Sequence, residues 1–581
     1  MSDLVARWAC AHVLILAFVG PRPARAQFPA VLHVSELDGS NGFVLYGVGF
    51  NDATGSAVSG AGDVNNDGIL DVLIGAPGPY FADPFPPGSA YVVFGRPGLG
   101  AGGVLDLLDL DGTNGFVIRG LNALDNLGIA VSEAGDFNRD GIADFLVGAY
   151  RADPFGRTDA GETYVIYGAD GLGASGTLSP ASLNGTNGFR IMGARVGDGS
   201  GAFVDTVDFN DDGWPDMVIG APWADPHGSR TGQTYVVFGG PGVGSSGFLD
   251  LSTLDGQNGI TINGAAGGDL AGFCAGLGDF NGDGIDDIVI GAPLASPGAL
   301  YTAGQAYIVY GAPGPQPPSL ELADLDGSNG FRVDGLSPED YLGIRVSGAG
   351  DVNLDRYQDA VFSTDRPGSA VYVIFGGPGV GVSGLVELST LDGSNGFRVP
   401  YDCCGNAPGV GGIGDINGDG TDDLAIGALG DYGQQITDTV AVIFGSPTVG
   451  QDGLVDVETL NGANGFRIIG PISTGASVAG AGDVNDDGVV DIVFGEPVGP
   501  PPGMPNHVGK TYVVLGRDTG DQADFDDDGD VDLTDFITFQ LCFVGSNNPR
   551  APGCARPDLD RDGDVDLADF LVFQQHFTGS Q

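Results

Sequence analysis

The stretch Gly62–Pro77, GDVNNDGILDVLIGAP, decides the fold. Asp63, Asn65 and Asp67 stand at every second position, Gly68 comes next, and Asp71 closes the loop at its ninth position. An apolar run, VLIGAP, begins at once. Side-chain oxygens at positions 1, 3, 5 and 9, with an inward carbonyl from Ile69 at position 7, match the oxygen cage that calcium prefers. Glycine at position 6 permits the sharp turn with positive φ. The sequence therefore predicts a metal-type hairpin loop that feeds a buried strand.

The loop recurs. Its first Asp falls at Asp63, Asp136, Asp208, Asp279, Asp351, Asp415 and Asp483, with spacings of 73, 72, 71, 72, 64 and 68 residues. The further copies are Asp136, Asn138, Asp140 and Asp144; Asp208, Asn210, Asp212 and Asp216; and Asp279, Asn281, Asp283 and Asp287. They continue with Asp351, Asn353, Asp355 and Asp359; Asp415, Asn417, Asp419 and Asp423; and Asp483, Asn485, Asp487 and Asp491. Asp, Asn and Gly also make plain turns, but a turn does not require Asp at position 9. The fifth copy has Arg356 in place of glycine. It is expected to bind calcium more weakly, or to use Arg356 as an internal counter-ion.

Each period carries three more markers. A small-residue strand such as SAVSGAG precedes the loop, a strand such as AYVVFG comes after a variable loop, and LDGSNGF or a relative leads into a last strand such as VIRG. Four short strands per period, bounded by Gly, Pro, Asn and Asp, and a fixed period predict an all-β, seven-bladed β-propeller. GFVLYG, Gly42 to Gly47, precedes the first loop, and the seventh unit ends at TYVVLG without a further strand to pair with. The N-terminal strand is thus expected to complete the last blade and hide an exposed edge.

Composition agrees. The 581 residues include 105 glycines, 42% are hydrophobic, and only eight of the 76 acids are Glu. Short carboxylates suit turns and compact ion cages. A net charge of −54 argues against nucleic acid as a partner. Residues 1–26 have the three parts of an export signal: Arg7, an apolar core CAHVLILAFVG, and ARA before Gln27. No later run is long enough to span a bilayer, so the protein is expected to be secreted or associated with the cell surface, where disulfides persist. Cys542 and Cys554 are close enough in sequence to pair, Cys403 and Cys404 are adjacent, and Cys274 reads as an inert buried thiol.

With DVNNDGILDVLIGAP, YVVFG and NGF in place, the chain resembles the FG-GAP repeats of the integrin α-subunit propeller over nearly all of Gln27 to Gly516. The resemblance implies seven blades, calcium in hairpin loops on the lower face, and ligand recognition on the opposite face. The later integrin domains and transmembrane helix have no counterpart here, so receptor signalling does not carry over.

A second kind of loop appears at DFDDDGDVDLTDF, Asp524 to Phe536, and again 34 residues later at DLDRDGDVDLADF, Asp558 to Phe570. The spacing is that of twelve-residue EF-hand loops: Asp524, Asp526, Asp528, the carbonyl of Asp530, Asp532 and Asp535, then Asp558, Asp560, Asp562, the carbonyl of Asp564, Asp566 and Asp569. Phe536 and Phe539, then Phe570 and Phe573, give the segment after each loop a helical period. The pair resembles a type I dockerin, which implies two loop-helix calcium units docking onto a cohesin. The family often has Ser and Thr at loop positions 10 and 11, whereas Leu533, Thr534, Leu567 and Ala568 stand here. The expected division is residues 1–26 signal, 27–517 propeller, and 518–581 a small α-helical dockerin-like domain.

His33, His227, His507 and His576 have no metal spacing, and no GxSxG, HExxH or P-loop is present. The sequence predicts no enzyme. It predicts an adhesion or scaffold protein whose propeller binds a protein or glycan, with a cohesin-like partner for the tail. The alternative is a polysaccharide-acting lyase or hydrolase on the upper face. The loops between second and third strands depart most from repetition. They hold Tyr80, Phe81 and Phe85; Arg151, Asp153 and Phe155; Trp223, Asp225, His227 and Arg230; and Tyr301. Trp223 and Arg230 are the leading ligand-binding candidates, because Trp and Arg are enriched at binding hot spots.

Overall fold

The structure is a computed structural model. It describes residues 28–49, 52–78, 86–366, 370–401, 407–429, 437–497 and 508–517, then 525, 531, 533–543, 554, 557, 559 and 565–576. The export signal, Cys403 and Cys404, the aromatic residues Tyr80, Phe81 and Phe85, and most acidic side chains of the two C-terminal loops lie outside the described residues.

Seven sheets form a closed ring, each inner strand touching the inner strands on either side. Blade 1 runs outward through Ala57–Gly62, Asp71–Ala76, Ser89–Val93 and Gly115–Arg119, all antiparallel. The ring closes as the N-terminal strand predicts. Gly42–Tyr46 pairs with Lys510–Val514 as the fourth strand of blade 7, so chain segments 464 residues apart share one sheet, counting from Tyr46 to Lys510.

Six blades go beyond four strands. Each carries a fifth strand, parallel to the fourth, supplied by a neighbouring segment. Phe248–Asp250 leaves blade 3 after its third strand, pairs with Gly188–Met192 of blade 2, and then returns to blade 3 at Gly259–Asn263. Val31–His33 does the same for blade 6. These segments are two or three residues long and carry no alternating pattern, so periodicity does not reveal them. They cover an edge that would otherwise template pairing with another chain.

The second strand of each blade is buried from end to end, as in Asp71–Ala76. It packs on both sides against other blades, which explains its unbroken apolar run. The propeller core is accordingly divided into seven clusters, one per blade interface. Gly75 shows how tight these are. A Cβ there would lie 2.0 Å from the carbonyl oxygen of Gly128, at the entry to the next blade. The NGF phenylalanine is the other anchor. Phe116 is fully buried and its ring lies against Gly173, where a Cβ would come within 2.1 Å of it. Gly173 has φ +68°, which glycine adopts without strain.

Near the C-terminus two helices, Leu533–Cys542 and Leu567–His576, pack on each other through phenylalanines. Phe525 stacks on Phe573 at 5.8 Å, and Phe539 meets Phe570 at 5.9 Å. Cys542 and Cys554 are joined by a disulfide with a Cα separation of 5.5 Å. No helix among the described residues is long and apolar enough to cross a membrane.

Candidate functional site

The seven acidic loops join the first and second strands of every blade and so lie on one face of the ring. Their backbone is fixed by two left-handed residues. In the first loop these are Asn66 at position 4, φ +61°, and Gly68 at position 6, φ +92°. Position 4 is left-handed in every copy, whether it is Asn66, Arg139, Asp211, Gly282, Leu354, Gly418 or Asp486. Sequence reasoning finds the glycine and misses this second kink, because residue type there varies. At position 6 Arg356 adopts φ +80°, the conformation its glycine counterparts take without strain.

Side chains hold the turn. Asp63 accepts the N–H groups of Asp67 and Gly68 at 3.0 and 2.8 Å, and Asp67 accepts that of Ile69 at 3.0 Å. The other loops repeat this: Asp279 accepts from Asp283 and Gly284 at 3.0 and 2.9 Å. Asp351 accepts from Asp355 and Arg356 at 2.9 and 2.7 Å.

Position 9 ties the loop to the sheet. Asp71 is fully buried and accepts Val64 N–H at 3.1 Å and Gly95 N–H at 2.8 Å. Asp216, Asp287, Asp359, Asp423 and Asp491 do the same with their own loop and third-strand end. Asp144 bonds Asn138 and Gly168 likewise. Burial pushes these carboxyls up, Asp71 to about 8, with Asp67 and Asp63 adding like-charge repulsion. Asp144 rises to about 7, Asp216, Asp287 and Asp359 to about 8, and Asp423 and Asp491 well above the usual range, burial being the main cause in each. Of these seven desolvated carboxyls, six feel two more acids of their loop and Asp287 feels Asp283, which is the chemistry of an oxygen donor set for a hard divalent cation. The buried Oδ1 of Asn485, at position 3 of the seventh loop, has no hydrogen-bond partner. Among the described residues no three His, Cys, Asp or Glu side chains already converge as a metal group; in the first loop Asp63, Asn65 and Asp67 are turned onto the loop's own N–H groups.

In the C-terminal units, the twelfth-position residues Asp535 and Asp569 are fully buried. Asp535 accepts the N–H of Phe525 at 2.5 Å, tying the loop's end to its start. Asp566 N–H donates to Asp569 at 2.7 Å.

The opposite face carries the loops between second and third strands, beside the crossings from one blade to the next. Blades 2, 3 and 4 share one loop design. Asp153 accepts the N–H of Asp159, Asp225 that of Arg230, and Ser296 that of Thr302. All three donors have positive φ: +49°, +52° and +44°. Trp223 stacks on Tyr150 at 5.1 Å and packs over Gly199, so much of its ring is spent on loop packing. Arg230 is exposed, while its carbonyl accepts Leu270 N–H from the neighbouring crossing at 3.1 Å. Two of these loops are braced to the fifth strands, one by the Arg157–Asp250 ion pair at 2.8 Å and the other by a His227–Glu321 hydrogen bond at 2.7 Å. Beneath them Asp198 is 3% exposed, and its Oδ2 has no hydrogen-bond partner. Burial pushes that carboxyl up to about 6.

An FG-GAP repeat family model matches residues 54–93, 131–166, 200–237 and 275–309, which cover the first three strands of blades 1 to 4, the last match starting two residues into Phe273–Gly278. Phosphatidylinositol-glycan-specific phospholipase D of Homo sapiens is 32% identical over 227 residues, 38% of this chain and 24% of the relative. Integrin alpha-5 of Xenopus laevis is 28% identical over 236 residues, 39% of this chain and 19% of the relative. Integrin alpha-7 of Homo sapiens is 32% identical over 114 residues, 19% of this chain and 9% of the relative. The match thus spans about a quarter or less of these relatives' length. The FG-GAP repeat model thus falls on four of the seven blades of the β-propeller, and part of the chain is similar to integrin α-subunits and to the phosphatidylinositol-glycan-specific phospholipases D.

Proposed function

We propose that this is a secreted or cell-surface adhesion or scaffold protein, stabilised by calcium in its acidic loops, that binds a protein or glycan on the opposite face. The observation that supports the calcium reading is the buried ninth-position carboxyl, repeated from Asp71 to Asp491, which in six of the seven copies feels both the first- and the fifth-position acids. Bound calcium would supply positive charge to a loop that carries three carboxyls, drawing them off the loop's own N–H groups. In the first loop the ligands would be Asp63, Asn65, Asp67, the Ile69 carbonyl and Asp71. Binding to the native state alone stabilises it by about 2.7 kcal/mol per site at a hundredfold excess over Kd. Chelation with EDTA should therefore lower the melting temperature markedly, and an unchanged melting curve would refute the reading. The twelve-residue loops support calcium in the tail in the same way, ending on Asp535 and Asp569. Exposed Leu541, Leu567 and Leu571 on the two helices suit a partner such as a cohesin-like domain.

A second reading, an enzyme, is favoured by the phospholipase D relatives' name, although the match covers only 24% of that protein. Turnover of a glycosylphosphatidylinositol or polysaccharide substrate by the purified chain would establish it.

A further inference from the structure

We propose that the cleft between blades 3 and 4 on the loop-rich face is a binding site for a neutral sugar ring, with Tyr301 as its platform. This rests on the reading that this face binds the ligand, and it chooses a glycan over a protein.

The cleft has a volume of about 640 Å³, within the usual range for ligand sites. One wall is the crossing Ala265–Asp269, and the other is the blade 4 loop that ends at Tyr301 and Thr302. The walls are held. Leu270 N–H donates to the Arg230 carbonyl at 3.1 Å, and Leu294 N–H to the Asp269 carbonyl at 3.2 Å. Gly267 and Gly268 leave the middle of the first wall without side chains. Tyr301 is 68% exposed, the most exposed aromatic side chain among the described residues. Its ring is open to a ligand, whereas that of Trp223 is stacked on Tyr150.

The polar groups are mixed and oriented. Gln305 donates to Asp334 at 2.6 Å and accepts the Tyr307 hydroxyl at 2.9 Å, which fixes its amide at the cleft floor. Arg332 is half exposed and sits 3.4 Å from Asp334, so its charge is largely matched. Asp269 is 9% exposed, and the Thr302 hydroxyl is buried without a hydrogen-bond partner. A sugar ring presents an apolar face for an aromatic platform and hydroxyls that both donate and accept. The cleft offers that combination. A strongly charged ligand would find neither a spare cation nor an unopposed cluster of anions. A peptide would need a longer apolar groove than these glycine-rich walls provide.

The test uses the full chain with calcium on an array of neutral oligosaccharides, sialylated oligosaccharides and peptides. The wild type should bind a neutral oligosaccharide. Tyr301→Ala should weaken that binding by roughly tenfold or more, in line with an aromatic anchor at a hot spot. Tyr301→Trp should retain it, and Trp223→Ala should leave it unchanged. Both Tyr301 variants should melt with the wild type, since Tyr301 packs little. Binding to no oligosaccharide, or to one whose affinity survives Tyr301→Ala, would overturn the proposal. Peptide binding lost in Trp223→Ala but kept in Tyr301→Ala would overturn it too, while leaving the broader reading of this face intact.

Discussion

The guanidinium of Arg139 lies 3.9 Å from the centroid of the Trp214 ring. Arg139 is position 4 of the second acidic loop and Trp214 is position 7 of the third, so the pair clamps one loop onto the next. Arg139 also donates to the Gly213 carbonyl. The clamp is worth about 0.5–1 kcal/mol at such an exposed site.

In the proposed calcium reading Trp214 would contribute the seventh-position carbonyl, so its indole should report on an ion in the third loop. The chain has three tryptophans, and Trp8 lies in the proposed export signal, which leaves Trp214 and Trp223. In a Trp223→Phe variant, calcium titration should shift the emission of Trp214, and Arg139→Ala should shrink that shift. An emission spectrum indifferent to calcium and EDTA would show that this loop takes no ion.

Arg356 is strained where its six counterparts are glycine. A side chain held at φ +80° costs about 1–2 kcal/mol relative to glycine. Arg356→Gly should stabilise the propeller by about that amount in urea denaturation, at a position whose N–H still donates to Asp351 at 2.7 Å. A loss of stability would mean that the Arg356 side chain makes a compensating contact.

Gly75 and Gly102 should answer the same substitution differently. A Cβ at Gly75 meets the Gly128 carbonyl oxygen at 2.0 Å, and that backbone cannot yield without moving the next blade. A Cβ at Gly102 meets nothing within 4 Å. Gly75→Ala should cost about 1–3 kcal/mol by overpacking, and Gly102→Ala should stay within about 0.5 kcal/mol. Equal melting temperatures for the two variants would mean that the blades are not packed this tightly.

Legibility in the sequence depended on whether physics left a period. Asp71 and its six counterparts recur because each does the same local job, closing a hairpin onto a sheet, and a fixed job leaves a fixed spacing. Gly42–Tyr46 was legible because an incomplete last unit demands a strand. The fifth strands were not: Phe248–Asp250 uses backbone hydrogen bonds, which many residues satisfy equally. Residue types named Trp223 as a ligand candidate, yet its stacking on Tyr150 comes only from how two loops from different blades lean together. Tyr301 stood in the same loops with no mark to distinguish it. Its exposure comes from the glycine wall facing it, roughly 30 residues away along the chain and adjacent only in the folded ring.

Asp198 gives the last prediction, because it is buried for packing and away from the acidic loops. Desolvation is the main cause of its shift, Asp225 adds repulsion, and Arg195 partly opposes both. The folded carboxyl is raised from 3.8 to about 6. A raised folded value means that the folded state holds its proton more tightly than the unfolded chain does. Its contribution to stability is therefore complete below about pH 4 and is lost as pH rises to about 6, after which it is flat. Asp198→Asn removes the titration and keeps the shape. The melting temperature of the variant minus that of the wild type should increase between about pH 4 and pH 6, then hold steady to about pH 8. Measuring both proteins across that range isolates this carboxyl, since the other acids titrate in each. A difference that stays level throughout, or that falls as pH rises, would show that Asp198 is ionised in the folded protein and held by a partner charge.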